Sequence, residues 1–161
     1  MSTPTTIAEL LDWVATAHQR FLQAVARLSD DQLPDPRLPG GWSVKDVLAH
    51  LAWWDRWLVY TLQADGAGAP PLIDQIPPGD SWADQINALV YALNRDRGLV
   101  EIQAEFESAR KRVVQAVHEL SPQDVFGAGG RSAIIGRPVG PLVFGIYEHY
   151  DEHAHEIEAL F

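Results

Sequence analysis

Apolar side chains recur at spacings of three and four through most of this 161-residue chain, and that period admits helices as its main elements. Ile7, Leu10, Leu11, Val14, Phe21, Val25 and Leu28 mark the first stripe. Thr6, with Glu9 three residues on, has the form of a capping box that would start this helix, while Thr3 ahead of Pro4 offers a second start a turn earlier. The segment from Ser29 to Gly41 holds three prolines and two glycines and reads as a connection. Ser43 then opens a second helix expected to reach about Gln63, its side chain capping the first turn and Trp42 packing on Val47 as a hydrophobic staple. From Asp65 to Gly79 the chain is rich in Gly and Pro without a period and is expected to be a surface excursion.

Helical character resumes at Trp82 and continues to about Leu120. Gly98 divides it into a short extra helix and a third main helix with the stripe Leu99, Ile102, Phe106, Val113 and Val117. After a Gly-rich stretch from Gly127 to Gly140, Pro141 suits the first turn of a last helix, whose stripe is Leu142, Ile146, His149, His153, Ile157 and Leu160. Only Ser132 to Ile135 offers a short strand-like alternation. The expected fold is all-α: a four-helix bundle with long crossover loops and a short extra helix before helix 3. A chain of 161 residues has room for one domain, expected to span 1–161, and folding at this size buries roughly 68 to 70% of the unfolded surface.

Charge and composition narrow the partners. Twelve Lys and Arg against 22 Asp and Glu give a net charge of -10, which repels phosphate backbones and anionic lipid headgroups, so neither nucleic acid nor a membrane is an expected partner. Without cysteine there is no disulfide, thiolate ligand or cysteine nucleophile, and any metal must be held by nitrogen and oxygen. Glu9 and Asp12 fall among the first apolar residues, unlike a signal peptide, and no apolar run approaches the ~20 residues that span a bilayer. A soluble, cytoplasmic protein is expected.

The anomaly lies in the last stripe. His149 and His153 occupy successive core-facing turns at i and i+4, a separation at which two imidazoles can reach one metal ion. His155 follows two residues later, about 200° around the axis, and points away. His50 lies beside the apolar stripe of the second helix, between Val47 and Trp54, and joins the pair if the two helices face each other. A lone histidine on an apolar face is ordinarily a core residue bonded to a carbonyl. Two imidazoles buried a turn apart instead need four ring nitrogens satisfied without water, and a shared metal satisfies two of them.

Around this set, Asp46 and Glu152 are candidates to orient ligands or relay protons, each with a solvated helix charge as its plain alternative. Trp53, Trp54 and Trp57 cannot all face one way, so at least one, with Trp54 and Trp57 foremost, is expected to line the cavity or a subunit interface. His18 and His118 read as surface or helix-flank residues. Gly127 to Gly130 lacks the Lys-Ser/Thr of a phosphate loop and reads as a flexible loop bordering the site, and no Gly-x-Ser-x-Gly elbow is present.

The segment Trp42-Ser-Val-Lys-Asp-Val-Leu-Ala-His50-Leu-Ala-Trp-Trp-Asp55, with Asn94-Arg-Asp-Arg97 and Tyr147-Glu-His-Tyr-Asp-Glu-His153, resembles the DinB-like superfamily of four-helix bundles, in layout its ClbS/DfsB-type branch. The resemblance implies a three-histidine divalent-metal site at His50, His149 and His153 with water in the remaining positions. Zinc or nickel is favoured, and iron or manganese is admitted. Known relatives include thiol-dependent transferases using mycothiol or bacillithiol, a maleylpyruvate isomerase, and a type that opens a cyclopropane in a genotoxin. The implied activity is therefore a metal-dependent hydrolase or thiol S-transferase acting on a small reactive molecule, with a low-molecular-weight thiol as a candidate cosubstrate. The alternative is non-catalytic binding and sequestration in the same pocket, as in a resistance protein. Analogy with the superfamily and the large apolar residues of the second helix both imply a homodimer.

Overall fold

The structure is a computed structural model that describes residues 4–63, 76, 79, 81–127, 130–136 and 138–161. Among these residues there are seven α-helices and no strand: α1 (Ile7–Val25), α2 (Val44–Gln63), α3 (Trp82–Asn94), α4 (Leu99–His118), α5 (Pro122–Phe126), α6 (Arg131–Ile135) and α7 (Val139–Glu158). The surface excursion expected over Asp65 to Gly79 falls mostly outside the described residues. The strand-like alternation of Ser132 to Ile135 is instead within the short helix α6. Gly130 precedes it at φ 59, where a Cβ would collide with the Asp124 carboxylate, and its Arg131 neighbour donates a backbone N–H to that carboxylate at 2.8 Å. The glycines here therefore join two short helices, and their described residues do not line the histidine pocket.

The four long helices form the bundle. α1 packs chiefly on α7 and α2 on α4, with smaller seams between α2 and α7 and between α1 and α4. Consecutive long helices α1 and α2 therefore do not pair, and the Ser29 to Gly41 connection carries the chain across the bundle. α1 starts at Thr6: the Glu9 N–H donates to Thr6 Oγ1 at 3.2 Å while the Thr6 N–H donates to Glu9 Oε2 at 3.2 Å, which decides between the two expected starts. α2 begins with the same device, Ser43 with Asp46, but buried. Every residue from Val44 to Trp53 is buried, because α3, α4, α7 and the 38–42 segment surround the first half of this helix.

α3 lies on α2 and builds a second small core of Trp53, Ile76, Ile86 and Val90, against which Trp54, Trp57 and Trp82 pack. The large apolar surplus of α2 is thus spent within the chain. The corner between α3 and α4 is pinned by Lys45, whose buried ammonium donates to the carbonyls of Asn94, Arg95 and Arg97 at 3.1, 2.7 and 3.2 Å. Arg97 then pairs with Glu101 and Glu105, and Arg56 reaches Glu105 from α2. The Asn94 to Arg97 motif is therefore a corner fastening.

A polar cluster sits inside the main core. The Tyr150 hydroxyl donates to Asp55 Oδ2 at 2.8 Å, and Arg110 donates to the Tyr147 hydroxyl at 3.4 Å and the Val14 carbonyl at 3.2 Å. Burial pushes the Asp55 carboxyl up to about 7, although Tyr150 and Arg110 pull the other way. His18, expected at the surface, stacks on Phe106 with centroids 5.7 Å apart, and burial with the Arg110 charge lowers its pKa to about 4.

Candidate metal centre

The α2–α7 seam brings His50, His149 and His153 together. His149 Nε2 lies 3.0 Å from His50 Nε2 and 3.1 Å from His153 Nε2. Two nitrogens each ~2.1 Å from one ion at 90° to 109° stand about 3.0 to 3.4 Å apart, so the spacing suits a common metal. The donor chemistry fits as well. His153 Nδ1 is 2.7 Å from Glu156 Oε2, so it carries the proton and donates, and its Nε2 presents a lone pair. His149 Nε2 faces both neighbours, and a single ring hydrogen serves only one of the two contacts well. His50 Nδ1 is buried with no partner. Protein groups alone leave this cluster badly satisfied, whereas one cation accepts all three lone pairs.

The electrostatics keep the rings in their ligating form. Burial, then the neighbouring histidines, hold His50 well below the usual imidazole range, and burial with His153 lowers His149 to about 4. A metal at this site would supply Lewis acidity and lower the pKa of bound water. Among the described residues these three form a His/Cys/Asp/Glu group with all ligand atoms within 4.8 Å of one another.

A pocket of about 220 Å3 opens onto the histidines, walled by Leu38, Pro39, Trp42 and Val47 and edged by Asn87 and Glu156. Trp42 meets the His50 ring edge to face at 5.4 Å and stacks on Tyr91 at 5.4 Å.

The surrounding candidates fall elsewhere. Asp46 is the capping partner of Ser43, with a bond to its hydroxyl, and does not touch a site imidazole. Glu152 is exposed, and the carboxylate beside His153 is Glu156, one turn further on. Trp54 stands behind the site, its ring centroid 6.3 Å from His50 and its indole N–H donating to Asn87 Oδ1 at 3.0 Å. Trp57 packs on Trp54 and Trp82, away from the pocket. The indole that lines the pocket is Trp42. His155 points away as expected, held by the Asp151 carbonyl and Arg20, and His118 is exposed in the last turn of α4.

Fold and site together define a helical bundle with three convergent imidazoles on one seam. The chain belongs to the DinB superfamily, whose model matches residues 13–157. Two solved structures share the fold. An uncharacterised protein from Escherichia coli UTI89 superposes with a TM-score of 0.81 at 16% identity, over 99% of this chain and 94% of that one. The colibactin self-resistance protein ClbS in complex with a dsDNA gives 0.80 at 12% identity, over 99% and 97%. No curated protein matches the sequence. The ClbS complex corrects one expectation: a protein of this fold does meet nucleic acid, so the exclusion of that partner, drawn from net charge, does not follow from the architecture. No described helix is long and apolar enough to cross a membrane.

Proposed function

We propose that this chain holds a divalent metal ion on His50, His149 and His153 and uses it, with the adjoining pocket, to capture a small reactive molecule in the manner of a resistance protein. The observation that carries the reading is the convergence of three Nε2 atoms at 3.0 and 3.1 Å on the floor of a pocket with an indole wall. The self-resistance role named for ClbS supports the resistance setting. Imidazole ligands favour nickel or zinc over iron and manganese in affinity. The setting is cytoplasmic, and analogy with the superfamily makes the working form a homodimer.

A second reading is catalytic. Three nitrogen ligands leave coordination positions open, the pattern of catalytic metal sites, which suits a metal-dependent hydrolase or a thiol S-transferase with a low-molecular-weight thiol as cosubstrate. One experiment addresses both. Protein loaded with zinc or nickel is incubated with an excess of a small epoxide or activated ester, with and without thiol. Capture stops at one equivalent; continued consumption assigns the enzyme reading, and thiol dependence assigns transfer. The metal itself is tested by elemental analysis after dialysis against a weak chelator. His149→Ala and His153→Ala should lose most of the ion, His50→Ala should bind weakly, and His155→Ala should match the parent. Full retention in His153→Ala overturns the centre.

A further inference from the structure

Asn87 edges the pocket from α3. Its Oδ1 is occupied by the Trp54 indole N–H at 3.0 Å. Indole is a donor only, so this contact decides which way round the amide sits, and the NH2 is the end left over. That NH2 has no hydrogen-bond partner among the described residues. A donor fixed in this way beside a Lewis acid selects for an acceptor oxygen.

Charge narrows the class further. Three neutral imidazoles around a divalent cation leave two positive charges, and Glu156, bound to His153, removes one. One positive charge remains, in a pocket of about 220 Å3 whose other walls are Trp42, Leu38, Pro39 and Val47. A group with one negative charge shared over two oxygens answers both the amide and the ion.

We propose that the ligand is a small, flat monocarboxylate that sets one oxygen at the metal and accepts the Asn87 amide with the other, and that Trp54 is the positioning residue for that amide. This rests on the metal reading above. Asn87 then determines specificity: it favours carboxylates over thiols, which need only the metal.

The test uses zinc-loaded protein with benzoate and 2-mercaptoethanol as probes, each followed by calorimetry, and zinc content measured separately. Asn87→Asp, of equal size but an acceptor, should weaken benzoate tenfold or more and leave zinc content unchanged, while thiol binding falls much less. Asn87→Ala should lose less, and Trp54→Phe, which frees the amide to turn over, should weaken benzoate a few-fold. Benzoate bound equally by Asn87→Asp and the parent overturns the proposal while the metal centre stands, as does an equal loss of thiol and benzoate. Absence of zinc from the parent protein overturns both, and the zinc measurement distinguishes that outcome from the others.

Discussion

Glu156 is the side chain on which the orientation of His153 depends. Replacing it with Gln keeps the shape but removes the charge that fixes the ring tautomer, and metal affinity should fall roughly 10- to 100-fold by competition with a chelating dye. An affinity equal to the parent's would deny Glu156 that role. The residue was legible only in part: Glu152 is next to His153 in the chain, but on a helix the neighbour across one turn is i+3, and that is Glu156. The His149 and His153 pair was legible because its spacing repeats an apolar stripe, whereas His50 joined it through the family resemblance and on the condition that α2 faces α7. Asn87 was not, since its place depends on how α3 lies on α2. Nor was His18, half-buried against Phe106 and Tyr150 from two other helices. The buried titratable groups act on stability in opposite senses. His18, His50 and His149 have depressed pKa values, so the folded metal-free protein binds fewer protons than the unfolded chain, and these groups destabilise it as pH falls below about 6.5. Asp55 is raised from 3.8 to about 7, so its contribution is fully present below the lower value and is lost as pH rises through the upper. Asp55→Asn should therefore gain in stability relative to the parent between pH 5 and pH 8, measured by urea unfolding of metal-free protein. A gap that is constant with pH would show that Asp55 stays ionised throughout.

Two of the long helices, α1 and α2, begin with the same capping box in different surroundings. Thr6 and Glu9 are exposed, whereas Ser43 and Asp46 are buried at the start of the helix that carries His50. Removing an exposed cap costs about 0.5 to 1 kcal/mol, but Ser43→Ala also strips a bond from a buried carboxylate and should cost about 2 kcal/mol or more by denaturant midpoint. Equal costs for Thr6→Ala and Ser43→Ala would mean that Asp46 finds water. The five longer helices were readable from period alone, and the capping residues located two starts, whereas the short α5 and α6 offer too few turns to show a period. The fate of the α2 tryptophans was not readable, because a helix apolar on several faces looks the same whether it meets another subunit or another helix of its own chain. Here α3 supplies that surface to Trp53 and Trp57.

At the scale of the whole molecule the bundle is two helix pairs, α1 with α7 and α2 with α4, and the histidines span the lesser seam between α2 and α7. His50 and His149 are 99 residues apart, so an ion shared between them ties distant parts of the chain and binds only the folded form. Zinc at a hundred times its dissociation constant should add about 2.7 kcal/mol of stability. Hydrogen exchange should slow most in the facing turns of α2 and α7; protection confined to α1 and α4 would place the ion elsewhere. The crossover expected from long connections is present, but no stripe states which helices become neighbours. That pairing has a consequence for biosynthesis. α1 is made well before its main partner α7, so the face of α1 that packs on α7 stays uncovered until α7 has been made. Between the synthesis of α1 and that of α7, this apolar face is the part of the bundle with the greatest need of a chaperone.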